Sequence, residues 1–151
     1  MPEMKKLARL ISSAGRKFVS RPGEAFLLCR MAWWVAVVSV IARFYSLPRA
    51  LQIVAGNQNG HRLPQATDQD ELAHAIDLLL SANVLVFKPI CWKRAAVLHR
   101  YLLHNGTPTR IIFGVRNEAD GKVAGHAWLE ENGRPILESV PPEYVVTYSF
   151  P

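Results

Sequence analysis

Apolar residues in the second half of the chain recur first at helical spacing and then at strand spacing. Between Pro89 and Pro108, Ala95, Leu98, Leu102 and Leu103 fall on one side of a helix. Pro89 suits a chain entering its first turn, and Asn105-Gly106 followed by Pro108 supplies a left-handed cap and a stop. An earlier amphipathic helix is marked by Leu72, Ala75, Ile76, Leu79 and Leu80, preceded by a capping-box spacing from Thr67 to Asp70. The run from Thr109 to Arg116 is dense in β-branched and aromatic residues and predicts a well-buried strand. A polar loop, Asn117 to Lys122, separates it from a hairpin built of Ala124–Glu130 and Arg134–Glu138, and a last strand is expected around Tyr144 to Tyr148.

Of two registers open to the hairpin, that of a three-residue loop is expected, with a two-residue turn as its main competitor, and the meeting of His126 with Glu138 depends on the first. A three-residue loop, Glu131-Asn132-Gly133, pairs Glu130 with Arg134 and brings His126 opposite Glu138, with Cβ atoms about 4.5–5.5 Å apart. A two-residue Asn132-Gly133 turn pairs Glu131 with Arg134 instead and sends Glu138 to the face away from His126.

Nearer the N-terminus, the apolar stretch from Met31 to Ala42 is 12 residues long, whereas a bilayer span needs about 20. It reads as a buried helix packed on the rest of the chain, with Trp33 and Trp34 as candidate contacts at a partner or membrane surface. Its distance from the N-terminus and the lack of a small-residue cleavage site disfavour a secretory signal. Leu47-Pro48 is expected to end that helix, and Ala55 to Gly60 forms a polar linker. The chain thus divides into an N-terminal basic and apolar helical segment, 1–55, and a second unit, 61–151. Helices followed by a strand and hairpin define an α+β class, with a cysteine-bearing helix packed on a small antiparallel sheet.

Three side chains in this framework could do chemistry together. Cys91 stands at or near a helix start, where unpaired N–H groups and the helix dipole favour negative charge on a thiolate or an oxyanion. His126 and Glu138 follow on the hairpin. Thiol, imidazole and carboxylate are the parts of a nucleophilic acyl-transfer site. Taken singly, Cys91 would be a small buried hydrophobe, His126 a hydrogen-bonded strand residue and Glu138 a solvated strand end. Trp128 shares the hairpin face of His126 and is expected to shield it from water. His99 and His104 are five apart, and Cys91 and the histidines show neither C-x-x-C nor H-E-x-x-H spacing, so a metal site is not indicated. His61 and His74 read as surface residues and Cys29 as a buried thiol.

The stretches C-W-K-R-A-A-V-L-H-R-Y-L-L-H-N-G-T-P-T-R-I-I-F-G-V-R and G-H-A-W-L-E-E-N-G-R-P-I-L-E resemble the leader peptidases of lasso-peptide biosynthesis in their short, split form. The match covers roughly residues 85–140. The resemblance implies a transglutaminase-like (papain-like) core and a cysteine protease that cuts the leader from a ribosomally made precursor, without a cofactor. By motif position Cys91 matches the nucleophile, His126 the base and Glu138 the third member, where the family's usual residue is Asp. The implied partners are the precursor peptide, a lasso cyclase and a separate leader-recognition protein, since the first 60 residues show no winged-helix module of the kind the family uses to bind leaders. An acyltransferase delivering the acyl group to an amine, and a non-catalytic scaffold docking the cyclase or a membrane, are the two rival readings.

Charge changes the picture only at one end. Residues 1–49 carry nine Lys and Arg against Glu3 and Glu24, while the rest of the chain is close to neutral. An anionic membrane surface, an acidic peptide or protein, or nucleic acid could answer that excess, and no recognition motif supports nucleic acid. Two cysteines argue against a disulfide framework and for a reducing cytoplasm, with peripheral membrane contact as an option.

Overall fold

The computed structural model describes residues 22–56, 68–83, 90–138 and 142–151. Among the described residues four helices precede the sheet: α1 (Pro22–Phe44), α2 (Leu47–Ala55), α3 (Gln69–Ser81) and α4 (Cys91–His104). Four strands follow: β1 (Arg110–Asn117), β2 (Val123–Glu131), β3 (Arg134–Ile136) and β4 (Val145–Phe150).

The helix expected around Met31–Ala42 is longer than its most apolar stretch. It runs for 23 residues and stops at Phe44. Leu47-Pro48 does not end it but opens α2, because a proline in a first turn lacks only an N–H that would have no helical partner. The nine residues of α2 were too short for periodicity to reveal. In α3 the N-cap is Asp68, one residue beyond the start of the expected capping box, and its side chain makes no capping hydrogen bond. Thr67 and Pro89 lie outside the described residues. The C-terminal end of α4 follows its sequence signal: Gly106 has φ 84°, and the N–H groups of Gly106 and Thr107 donate to the carbonyls of Leu103 and Leu102.

Met31, Val35 and Val38 of α1, Leu51 and Val54 of α2, Leu72 and Ile76 of α3, and Leu98 and Leu102 of α4 meet Ile111, Ala127 and Leu129 in one core. Each fully buried aliphatic side chain of this kind stabilises the fold by about 1.5–3 kcal/mol. Arg100 ties three helices together from the edge of that core. Its guanidinium lies 3.7 Å from the ring centre of Trp34 and donates to the Val54 carbonyl at 2.6 Å, where a cation complements the carbonyl end of α2.

The strands form one antiparallel sheet in the order β3-β2-β1-β4. Ile111 pairs with Leu129 and Phe113 with Ala127, and these residues point into the core or pack on it. Strand alternation puts Ile112, Gly114, His126 and Trp128 on the other face.

His99, on the inner side of α4, is 1% exposed and bonded through Nδ1 to Thr109 Oγ1 at 2.9 Å. Burial penalises its charged form and pushes its pKa down to about 4. In the unfolded chain the same ring takes up a proton near 6.5, so the unfolded state binds more protons between these values and stability falls as pH drops through that window. The expected loss between neutral pH and about pH 4 is roughly 3 kcal/mol. Denaturant melts across that range would measure it, and His99→Gln should flatten the slope; an equally steep decline in the variant would assign the loss to other groups.

Candidate active site

Cys91 is the first residue of α4, with Ile90 as N-cap in extended conformation. The Ile90 carbonyl accepts from the N–H groups of Lys93 and Arg94, which fixes the first turn and leaves Cys91 half-buried at its mouth. A cavity of about 490 Å³ opens there. Cys91 and Arg94 of α4, Asp70, Ala73 and Asp77 of α3, His126 and Ala127 of β2, and Leu137-Glu138 beyond β3 line it. All three side chains singled out in the sequence therefore border one space.

The route by which Glu138 arrives differs from the expected one. Glu131 pairs with Arg134, Glu130 with Pro135 and Leu129 with Ile136, so the hairpin has the two-residue turn, with Asn132 and Gly133 at φ 51° and 75°. Continued, this ladder would place Glu138 beside Ala127, on the face away from His126. It does not continue. β3 ends at Ile136, and Leu137 adopts φ 58°, a left-handed conformation that a bulky residue takes only when its surroundings enforce it. That reversal swings Glu138 back, and its Oε2 accepts a hydrogen bond from His126 Nε2 at 3.2 Å.

Arg94 enforces the reversal. Its Nη2 donates to the Leu137 carbonyl at 3.1 Å and its Nη1 to Glu138 Oε1 at 3.4 Å, while Nε and Nη2 grip both oxygens of Asp77 on α3 at 2.6 and 3.1 Å. A single guanidinium fork thus joins α3, α4 and the turn that carries the carboxylate. Sequence reasoning missed this residue. The available signal was its spacing, three residues after Cys91, which puts both on one side of the helix.

The carboxylate on Nε2 fixes the imidazole tautomer. With Nε2 carrying the proton, Nδ1 is left as the ring's acceptor. The ring is also held from its sides: Trp128 stacks on it at 6.0 Å and 16°, and Tyr144 lies 5.3 Å away. Trp128 is buried and donates from Nε1 to Glu130 Oε1 at 3.1 Å. Gly114, paired with His126 across β1 and β2, makes room for both aromatics; a Cβ there would stand 2.7 Å from Tyr144 Cβ and 3.0 Å from two atoms of the Trp128 ring. Neither Gly114 nor Tyr144 was signalled by the sequence, since their roles arise only from cross-strand register.

The remaining expectations divide. Trp34 is partly buried against the core, Trp33 is exposed, and His74 is exposed. Cys29 is exposed rather than buried, because it lies on the outward side of α1. His61 lies outside the described residues. Among the described residues no three His, Cys, Asp or Glu side chains stand close enough together to hold a metal ion.

A cysteine at the start of a helix, packed on an antiparallel sheet whose strand supplies a histidine bonded to a carboxylate, defines the class of transglutaminase-like α+β proteins. The sequence profile of the transglutaminase-like superfamily matches residues 26–149, and the chain belongs to that superfamily. No curated protein and no solved structure matches the chain. The matched span begins within α1 and ends within β4, so it takes in most of α1 together with α2, α3, α4 and nearly the whole sheet.

Proposed function

We propose that this protein is a cysteine peptidase of the cytoplasm that removes the leader from a ribosomally made lasso-peptide precursor. A superfamily that includes cysteine proteases and acyltransferases supports the chemistry, and the resemblance of residues 85–140 to lasso leader peptidases supports the substrate. The observation that carries the reading is the His126–Glu138 hydrogen bond on the wall of the cavity that Cys91 borders.

In this mechanism the Cys91 sulfur attacks the carbonyl carbon of the leader–core bond as its proton passes to His126 Nδ1. Glu138 stabilises the imidazolium through Nε2. The tetrahedral oxyanion accepts from amide N–H groups in the first turn of α4. Collapse breaks the C–N bond, and the imidazolium proton goes to the leaving amine. His126 then takes a proton from water, whose oxygen attacks the thioester and frees the leader acid and the thiol. A separate protein presents the leader, and a lasso cyclase takes the released core peptide.

Product masses test this. Precursor incubated with the chain and a leader-binding partner is expected to give a leader one water heavier than its acyl fragment; an acyl–amine adduct would instead identify a transferase. Because Cys29 is exposed, the companion experiment uses Cys29→Ser protein treated with iodoacetamide, so that loss of cleavage reports on Cys91. Unchanged cleavage after complete alkylation of Cys91 sinks the peptidase reading.

A further inference from the structure

Helix α1 is apolar on both sides, which is unusual for a helix with only one side packed. Within Gly23–Phe44 an 18-residue window has a mean hydropathy of 2.0. Its inner side buries Ala25, Met31, Val35 and Val38 in the core. Its outer side leaves Phe26 63%, Trp33 67% and Phe44 76% exposed, with Val40 also open to solvent. Phe26, Trp33 and Val40 are each seven residues apart, two helical turns, and so form one stripe that Phe44 extends. Tyr45 and Ile53 continue the exposed apolar surface past the end of the helix.

A stripe of this size is covered in the working protein. The length of α1 would suffice to cross a bilayer, yet its inner side is committed to the core, so while the fold is intact the helix can only lie along a surface. Charge selects which surface. The residues before α1 include Lys5, Lys6, Arg9, Arg16, Lys17 and Arg21 against the single acid Glu3, and at the far end Arg43 and Arg49 are exposed. Cations at both ends of an apolar stripe match phosphate headgroups around an acyl interior, where apolar insertion and polybasic attraction act together. We propose that the outer side of α1, with its flanking cations, seats this protein on an anionic phospholipid surface. This inference is independent of the cysteine chemistry.

Co-sedimentation of the full chain with vesicles tests it. Vesicles of phosphatidylcholine with about one-third phosphatidylglycerol are expected to carry the protein down at low salt, and pure phosphatidylcholine to bind at least about tenfold more weakly. Salt at 0.5 M, an ionic strength that shortens the screening length to a few ångströms, should release most of it. The Trp33→Ser/Phe44→Ser variant should lose at least about tenfold in partitioning with its helical circular dichroism intact. The Lys5→Glu/Lys6→Glu/Arg9→Glu variant, which leaves the apolar stripe untouched, should lose as much, and Cys91→Ala should bind as the native chain does. Equal binding to neutral vesicles, or no binding to either kind, overturns the proposal. So does a dimer in solution that Trp33→Ser/Phe44→Ser dissolves without vesicle binding by the native chain, since a second copy would then be what covers the stripe.

Discussion

Glu138→Gln is expected to lower the single-turnover rate of precursor cleavage by about 10³–10⁴-fold, close to the floor set by Cys91→Ala. The carboxylate can only accept at His126 Nε2, so it holds the proton there and, in the mechanism proposed above, leaves Nδ1 to take the thiol proton. An amide can donate to Nε2 instead, which selects the opposite tautomer and turns Nδ1 into a donor. It also removes the negative charge that stabilises the imidazolium once the proton has moved. Stability should change little, because among the described residues the other charged partner of this carboxylate is Arg94, at 3.4 Å. Glu138→Asp is the informative companion. The turn at Leu137 fixes where the backbone of residue 138 stands, so one methylene less withdraws the carboxyl from a bond already 3.2 Å long. A loss of about 10²-fold is expected even though Asp is the commoner residue in the proteins this segment resembles. Rates for Glu138→Gln within threefold of native would remove Glu138 from the mechanism.

Arg94→Ala should impair both stability and rate. It deletes the fork to Asp77, the donor to the Leu137 carbonyl and the contact to Glu138 together. The Asp77 pair contributes modestly, because that carboxylate is 51% exposed and water screens it. The larger consequence is that Leu137 loses the donor to its carbonyl, leaving its packing on the core and the His126–Glu138 bond to hold a left-handed conformation that costs about 1–2 kcal/mol to adopt. Without the guanidinium the chain after β3 relaxes toward the extended ladder and Glu138 leaves His126. We expect stability to fall by about 1–3 kcal/mol and cleavage to slow by about 10²-fold. Arg94→Lys should recover little of either, since an ammonium cannot span Asp77 and the turn at once. Asp77→Asn keeps the contacts to the turn and should cost far less rate. Thermal melts and single-turnover kinetics on the three variants check this, and native-like cleavage by Arg94→Ala would show that the hairpin end holds itself.

The order of elements, the place of Cys91 at a helix start and the end of that helix at Asn105-Gly106 were all legible, because they follow from local rules: periodicity of apolar residues, caps and turn residues acting within a few positions. The same rules found α3 and all four strands to within two or three residues at each end. They failed where a nearest-neighbour pattern had no bearing. A proline four residues after a helix reads equally as a stop or as the first turn of the next helix, and α2 was lost to that ambiguity. The outward side of α1 escaped for a similar reason. An apolar run looks the same whether both of its sides are buried or only one; Trp33 could be singled out as a candidate surface contact, but the exposure of Cys29 became visible only once the core had been filled by other helices.

By itself, then, the amino-acid sequence determined which residues could supply sulfur, imidazole and carboxylate, and on which elements they ride. The convergence of the last two was settled in three dimensions. The hairpin's own turn chemistry selects a register that parts Glu138 from His126, and local preference alone would have left them on opposite faces of the sheet. A cation from a helix and a partner acid from another, 17 residues apart along the chain, bend the strand end back across that divide. The energy for a strained backbone at Leu137 comes from contacts between segments far apart in sequence, and such contacts exist only after packing.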